Sequence, residues 1–152
     1  MHEQFMRLAL REAENARRKG ETPVGAVIVK DGVVLSCAHN LREQKQSPLC
    51  HAEMLAIEEA CARLGQWRLC GCDMYVTLEP CPMCAGALLQ SRIDNLYFGA
   101  SDPKNGAVVS NVYMLDYTCF NHTVKYESGI LKDECAGILT EFFEDLRKTG
   151  KT

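Results

Sequence analysis

Two short runs carry the chemistry of this chain: His51-Ala52-Glu53 and Pro80-Cys81-Pro82-Met83-Cys84. One imidazole and two thiolates make a three-ligand set for zinc and leave the fourth tetrahedral position open to water. An open position belongs to a catalytic metal rather than a structural one. Glu53 lies two positions from the histidine, close enough to handle protons for water there without binding the metal itself. A lone C-x-x-C could equally be a redox pair or half of a structural zinc knuckle. Joined to His-x-Glu, with a proline before the first cysteine and a helical pattern after each half, it points to zinc on His51, Cys81 and Cys84. Glu53 is then the proton carrier.

The surrounding elements must bring these runs together. A helical pattern opens at His51 and runs to about Leu64, with Ala52, Leu55, Ala56 and Glu59 in register and Gly65 as its stop. The strand Asp73 to Leu78 ends at Glu79-Pro80, and Cys81 and Cys84 fall at the start of the helix Met83 to Ser91. The positive end of a helix lowers a thiol's pKa and favours the thiolate that zinc needs. Both metal-bearing segments are thus helix starts that follow loops, and in an α/β sheet ligands gather at the carboxyl ends of strands.

The remaining chain reads as alternating strands and helices. Residues 3–19 place Phe5, Leu8, Ala9, Glu12, Ala13 and Ala16 at helical spacing, with Gly20 as the stop. Pro23 to Lys30 is a buried strand, Asp31-Gly32 a hairpin turn, and Val33 to His39 the returning strand. Gly25 inside the first strand implies either a close approach, of ligand or backbone, or a bend in the sheet. A polar loop covers Arg42 to Ser47. Cys70-Gly71-Cys72 lacks a matching second pair nearby and reads as a loop of small residues. Ile93 to Gly99 is a fourth strand, followed by a turn-rich loop from Ala100 to Gly106. Val108 to Asp116 is open between helix and irregular chain. Val124 to Tyr126 is a short fifth strand. Lys132 to Arg147 is a last helix, with Leu131, Cys135, Ile138, Leu139, Phe142, Phe143 and Leu146 along one broad face.

At 152 residues, 47% hydrophobic and 24% charged, the chain is expected to form one globular domain over 1–152. No apolar run approaches a membrane span, and the charged, amphipathic first 20 residues do not resemble a secretory signal. The expectation is a cytoplasmic protein with no membrane contact. The cysteines, nine in all, are then expected to be thiols, and Cys37, Cys50, Cys61, Cys70, Cys72, Cys119 and Cys135 to be small buried apolar residues. The net charge of −3 sits awkwardly with a phosphate-binding surface. Basic residues do cluster at Arg7, Arg11, Arg17, Arg18 and Lys19, and again at Arg147, Lys148 and Lys151. Solvated helix faces explain both clusters equally well, so charge does not decide the substrate.

The pattern H-x-E…P-C-x-x-C is the signature of zinc-dependent deaminases. Beyond it, the chain resembles the bacterial tRNA-specific adenosine deaminases of the cytidine deaminase superfamily, over residues 3–149. The resemblance is carried by Pro23-Val-Gly-Ala26, Asn40, His51-Ala-Glu53, Val76-Thr-Leu-Glu-Pro-Cys-Pro-Met-Cys-Ala-Gly-Ala87, Asp102-Pro-Lys104, Asn121-His122, Gly129-Ile-Leu131, Glu141-Phe-Phe143 and Leu146-Arg147. The zinc motif defines the superfamily; the Asp-Pro-Lys loop, the Asn-His pair and the Phe-Phe…Leu-Arg tail point to the tRNA branch. The resemblance implies an α/β fold of three layers, α/β/α, with a mixed five-stranded sheet and one zinc ion per subunit. It also implies a homodimer whose active sites are each completed by the neighbouring subunit, and the wobble adenosine of a tRNA anticodon stem-loop as substrate, with no DNA expected. By the same resemblance Asn40 and the backbone of Ala52 position the base. Asp102, Lys104, Asn121, His122, Phe142, Phe143 and Arg147 would hold the anticodon loop; the two phenylalanines either stack on bases or pack the last helix, and at least one is expected to be plain core.

The chemistry so implied is attack of water on C6 of adenine. Glu53 takes a proton from the water and delivers a proton to N1; the same carboxylate then protonates the leaving amine, and ammonia departs. A loop nucleotide leaves its stack at lower cost than one in a duplex. Two departures from the family pattern stand near the substrate mouth. Leu49-Cys50 replace a small Thr-Ala pair before the histidine, and Val109 replaces a glycine. Cys50 is expected not to be a fourth ligand, because a closed site would exclude water. The nearest rival reading is a zinc deaminase of a free base or nucleoside such as guanine, cytosine or cytidine. A second rival is a zinc-stabilised RNA-binding subunit without catalysis, which would not need Glu53.

Overall fold

The computed structural model describes residues 1–150. Its five helices are α1 (His2–Arg18), α2 (Arg42–Lys45), α3 (Ala52–Leu64), α4 (Pro82–Gln90) and α5 (Lys132–Thr149). The strands are β1 (Gly25–Lys30), β2 (Val33–His39), β3 (Cys72–Leu78), β4 (Asn95–Ala100) and β5 (Lys125–Ser128), and a short 3-10 turn spans Met114–Asp116. The strands form one sheet in the order β2-β1-β3-β4-β5. The β1 pairings to β2 and β3 are antiparallel, while β3–β4 and β4–β5 are parallel, so the sheet is mixed as expected.

Alternation along the strands divides the core into two layers. Ala26, Ile28, Met74, Val76, Leu96 and Phe98 point to one face, where Ala52, Ala56 and Ala60 of α3 and Ala85, Leu88 and Leu89 of α4 cover them. Val27, Val29 and Tyr75 point to the other face, against Phe5, Met6 and Ala9 of α1 and Cys135 of α5. Helices therefore cover both faces, the expected α/β/α arrangement.

Local chemistry explains the entries and exits. Asp31 and Gly32 both take positive φ, 51° and 77°, the twist a two-residue hairpin turn needs between β1 and β2. At Gly25 the close approach is by backbone: an added Cβ would overlap the carbonyl oxygen of Ala9 and lie 2.7 Å from the amide nitrogen of Ala13. Helix α1 thus lies almost directly on the first residue of β1. Ser36 donates its hydroxyl to the Ala56 carbonyl at 2.8 Å, and Arg63 reaches the carbonyls of Val34 and Leu35, both at 3.1 Å. These bonds fix α3 on the sheet and so fix where its first turn points.

Three expectations change. The loop at 42–47 contains the single helical turn α2, held by an acceptor from elsewhere in the chain, described below. The fifth strand starts at Lys125 and runs to Ser128, because its register follows the backbone ladder with β4 and its side chains are mostly exposed. Of the surplus cysteines only Cys72 and Cys135 are buried; Cys37, Cys50 and Cys61 are half-buried and Cys70 and Cys119 exposed. The segment 108–116, left open by the sequence, is turns followed by the 3-10 turn.

Candidate metal and catalytic site

The strand registers put one end of the sheet together: Gly25 opposite His39, Ala26 opposite Val76 and Leu78 opposite Ala100. The residues just beyond that edge, Val24, Asn40, Glu79 and Ser101, line a cavity of about 770 Å³. His51, Ala52, Glu53 and Cys81 line it too. A volume of that size is ordinary for a small-molecule site and holds a nucleotide drawn out of a loop.

His51 is the N-cap of α3 and Cys81 the N-cap of α4, both with extended backbone. Their carbonyls accept the first helical bonds, from Leu55 at 3.1 Å and Ala85 at 2.8 Å. Pro82 takes the first helical position of α4, where its missing N–H costs nothing. Cys84, one turn in, is fully buried. The Nδ1 of His51 lies 3.7 Å from the Cys81 sulfur and 3.6 Å from the Cys84 sulfur, and the three donor atoms all lie within 4.8 Å of one another. Zinc about 2.3 Å from sulfur and about 2.0 Å from nitrogen, at tetrahedral angles, sets nitrogen and sulfur about 3.5 Å apart. The donor set fits that ion.

The two thiols titrate apart. A hydrogen bond with Cys84 brings Cys81 down to about 4, against the effect of burial, and contact with His51 assists. The same bond and burial push Cys84 strongly upward. Two adjacent thiolates ionise together only around a positive charge, which a zinc ion provides. Contact with Cys81 raises the His51 imidazole above its ordinary value.

Glu53 is 4% exposed, and burial pushes its carboxyl up to about 7, against its own backbone N–H and His51. A carboxyl so placed can both take and give a proton near neutrality. Cys50 is not part of the three-residue donor group.

The structure places the other candidate residues unevenly. Asn40 lines the cavity but also works locally: its amide donates to the Thr22 carbonyl at 3.3 Å and its oxygen accepts the Arg42 N–H at 3.2 Å. Asp102 and Lys104 line it, and the Asp102 carboxylate accepts the N–H groups of Lys104 and Asn105 at 3.1 and 3.2 Å. Phe143 lines the cavity and is 44% exposed, whereas Phe142, beside it, is buried. Asn121, His122 and Arg147 are not in its wall. His122 bonds the carbonyl of Ile93 at 2.7 Å, just before β4 begins.

Two buried carboxylates that spacing did not reveal shape the cavity's walls. Glu21, fully buried, accepts the N–H groups of Glu43 and Gln44 at 3.0 and 2.7 Å and so anchors α2. Glu79 does the same for the loop after β4, accepting N–H groups from Asp102, Val108, Val109 and Ser110. Burial alone would raise the Glu79 carboxyl; the Ser110 hydroxyl and these amides hold it below the usual range. The only local hint was Glu79 itself, a carboxylate in an otherwise apolar run ending β3.

Comparison with known proteins agrees with this geometry. Residues 1–100 match the family model for the cytidine and deoxycytidylate deaminase zinc-binding region. The chain is 51% identical over 149 residues to the tRNA-specific adenosine deaminase of Bacillus subtilis, covering 98% of this chain and 92% of that one. It is 53% identical over 145 residues to the protein of the same name from Aquifex aeolicus, covering 95% of each. A structure solved in a study of A-to-I editing by tRNA:A34 deaminases at the wobble position of transfer RNA superposes with a TM-score of 0.87 and 46% identity, over 90% of this chain and 99% of that one. Guanine deaminase from Bacillus subtilis is less similar, with a TM-score of 0.64 and 38% identity over 66% and 65% of the two chains.

Proposed function

The chain belongs to the zinc-binding cytidine and deoxycytidylate deaminase family, and from that membership we propose that it deaminates adenosine to inosine at the wobble position of a tRNA anticodon loop. The observation that carries the chemistry is Glu53, buried beside the three-donor group in the cavity wall. Kinship to the tRNA-specific deaminases supports the choice of substrate.

His51, Cys81 and Cys84 would hold zinc, which when bound would supply the Lewis acidity that makes water acidic near neutral pH. Glu53 takes one proton from the attacking water as its oxygen bonds to C6 of adenine, and delivers that proton to N1. It then moves the second water proton to the exocyclic amine. The C6–N6 bond breaks, ammonia leaves, and the carbonyl of inosine remains with N1 protonated. Asn40 and the backbone of Ala52 hold the base edge. Phe143 offers a ring for a neighbouring base, and Lys104 a cation for phosphate. Asp102 orders the loop that carries Lys104. Phe142 serves the packing of α5.

The working unit is a homodimer. Val112, Tyr113, Tyr117 and Phe120 are 39–54% exposed within nine residues, an apolar surface that a second copy would cover. Asn121, His122 and Arg147 then contact RNA from outside the cavity or across the dimer. Among the described residues no helix is long and apolar enough to cross a membrane. A tRNA substrate makes the cytoplasm the place of work.

A parallel assay tests the substrate. Purified protein should release ammonia from an anticodon stem-loop with adenosine at the wobble position, and not from guanine, cytosine or cytidine. Turnover of a free base with an inert stem-loop would overturn the reading.

A further inference from the structure

Glu79 is 2% exposed, and no Lys, Arg or His among the described residues pairs with it. Its carboxylate is instead saturated by one loop. Oε1 accepts the N–H of Asp102 at 2.9 Å and the hydroxyl of Ser110; Oε2 accepts the N–H groups of Val108, Val109 and Ser110 at 3.0, 2.9 and 3.0 Å. One side chain therefore draws both ends of the 102–110 loop to a single point. Gly106, midway along, makes room for it: a Cβ there would overlap the Glu79 carboxyl group. The stretch between the two anchored ends carries Lys104 and Asn105 to the cavity wall.

We propose that Glu79 is a positioning residue for RNA binding: its carboxylate pre-sets the loop bearing Asp102, Lys104 and Asn105 in the form that receives the nucleotides around the target base. Glu79 borders the cavity, but every hydrogen bond of its carboxylate goes to the loop, and it acts through the backbone of that loop. The inference rests on the reading of the substrate as RNA. The physical need is plain in the loop's sequence. Asp102-Pro-Lys-Asn-Gly106 is rich in turn residues, and ordering such a segment at the moment of binding would weaken affinity. Five donors converging on one carboxylate order it beforehand.

Glu79→Gln keeps the volume and replaces one acceptor oxygen by an NH₂ group that faces N–H donors. The experiment is steady-state kinetics on a wobble-adenosine stem-loop, with zinc content measured on each variant. Glu79→Gln should raise KM about tenfold, with kcat within about threefold of the parent and zinc unchanged. Lys104→Ala should raise KM in the parent yet add little in Glu79→Gln, because the loop that carries the lysine is already displaced. A purely structural role would lower the yield or melting temperature and leave KM, and the additivity with Lys104, untouched. Unchanged KM, or additive effects, overturns the proposal. Where Glu79→Gln fails to fold, Ser110→Ala decides: removing one donor of the five should raise KM about threefold, and no rise overturns it. A parent enzyme inert on the stem-loop sinks the RNA reading and this inference with it; an active parent with an unaffected variant sinks this inference alone.

Discussion

His51 and Cys81 occupy the N-cap positions of two different helices, with the imidazole Nδ1 3.7 Å from the thiol sulfur, and neither side chain caps its own helix. An N-cap side chain ordinarily accepts a bond from the first turn, worth about 1 kcal/mol. Here both caps are given up and the two side chains turn toward each other at the meeting of two positive helix ends. Two positive helix ends favour thiolate over thiol, the form in which Cys81 and Cys84 would bind a metal.

The first expectation concerns the metal. Cys81→Ala and Cys84→Ala should each lose zinc to well below one ion per chain, because removing a ligand from a three-residue set leaves two. Glu53→Gln should retain about one ion per chain, since the three-residue donor group does not include its carboxylate. Metal analysis of each purified variant reads this directly. A fully loaded Cys84→Ala protein would contradict the ligand assignment.

Glu21 gives a second expectation. Its carboxylate holds the amides of Glu43 and Gln44, so Glu21→Gln should loosen α2 while the sheet stays intact. Leaving a buried polar group badly paired costs about 1–3 kcal/mol. Hydrogen exchange at the amides of Glu43 and Gln44 should then speed up about ten- to hundredfold. Exchange rates equal to the parent's would show that the anchor does not hold that turn.

Much of the site was legible in the sequence because its parts are local. His51 and Glu53 share one helical turn, Cys81 and Cys84 share another, and proline marks the second start. The strands of the core alternate, so which face each residue takes could be read as well. The two buried carboxylates were not legible for the opposite reason. Glu21 binds amides 22 and 23 residues away, and Glu79 binds amides 23 to 31 residues away, with no periodicity that would show it. Adjacent positions on a helix point about 100° apart, so one of Phe142 and Phe143 had to be more exposed. Which one depended on how α5 rolls against β4. The fifth strand was misplaced because its mostly exposed side chains give no apolar pattern; only the ladder with β4 defines it.

Gly25 supplies a test of the packing. Gly25→Ala would drive a methyl group into the carbonyl of Ala9, which belongs to the backbone of α1 and cannot rotate away. The helix must shift, at a cost of about 1–3 kcal/mol. Urea unfolding should show the midpoint lowered with an unchanged slope. A midpoint equal to the parent's would mean that α1 does not press on β1 as described.

The most direct measurement is inosine at the wobble position of tRNA, mapped after incubation with zinc-loaded protein and with zinc-loaded Glu53→Ala. The parent should convert adenosine at that one position with one ammonia released per inosine. The variant, equally loaded with zinc and equally folded, should be slower by about 10²–10⁴-fold or more. Conversion by the variant at near the parent's rate, or adenosine left intact by the parent, would contradict the account.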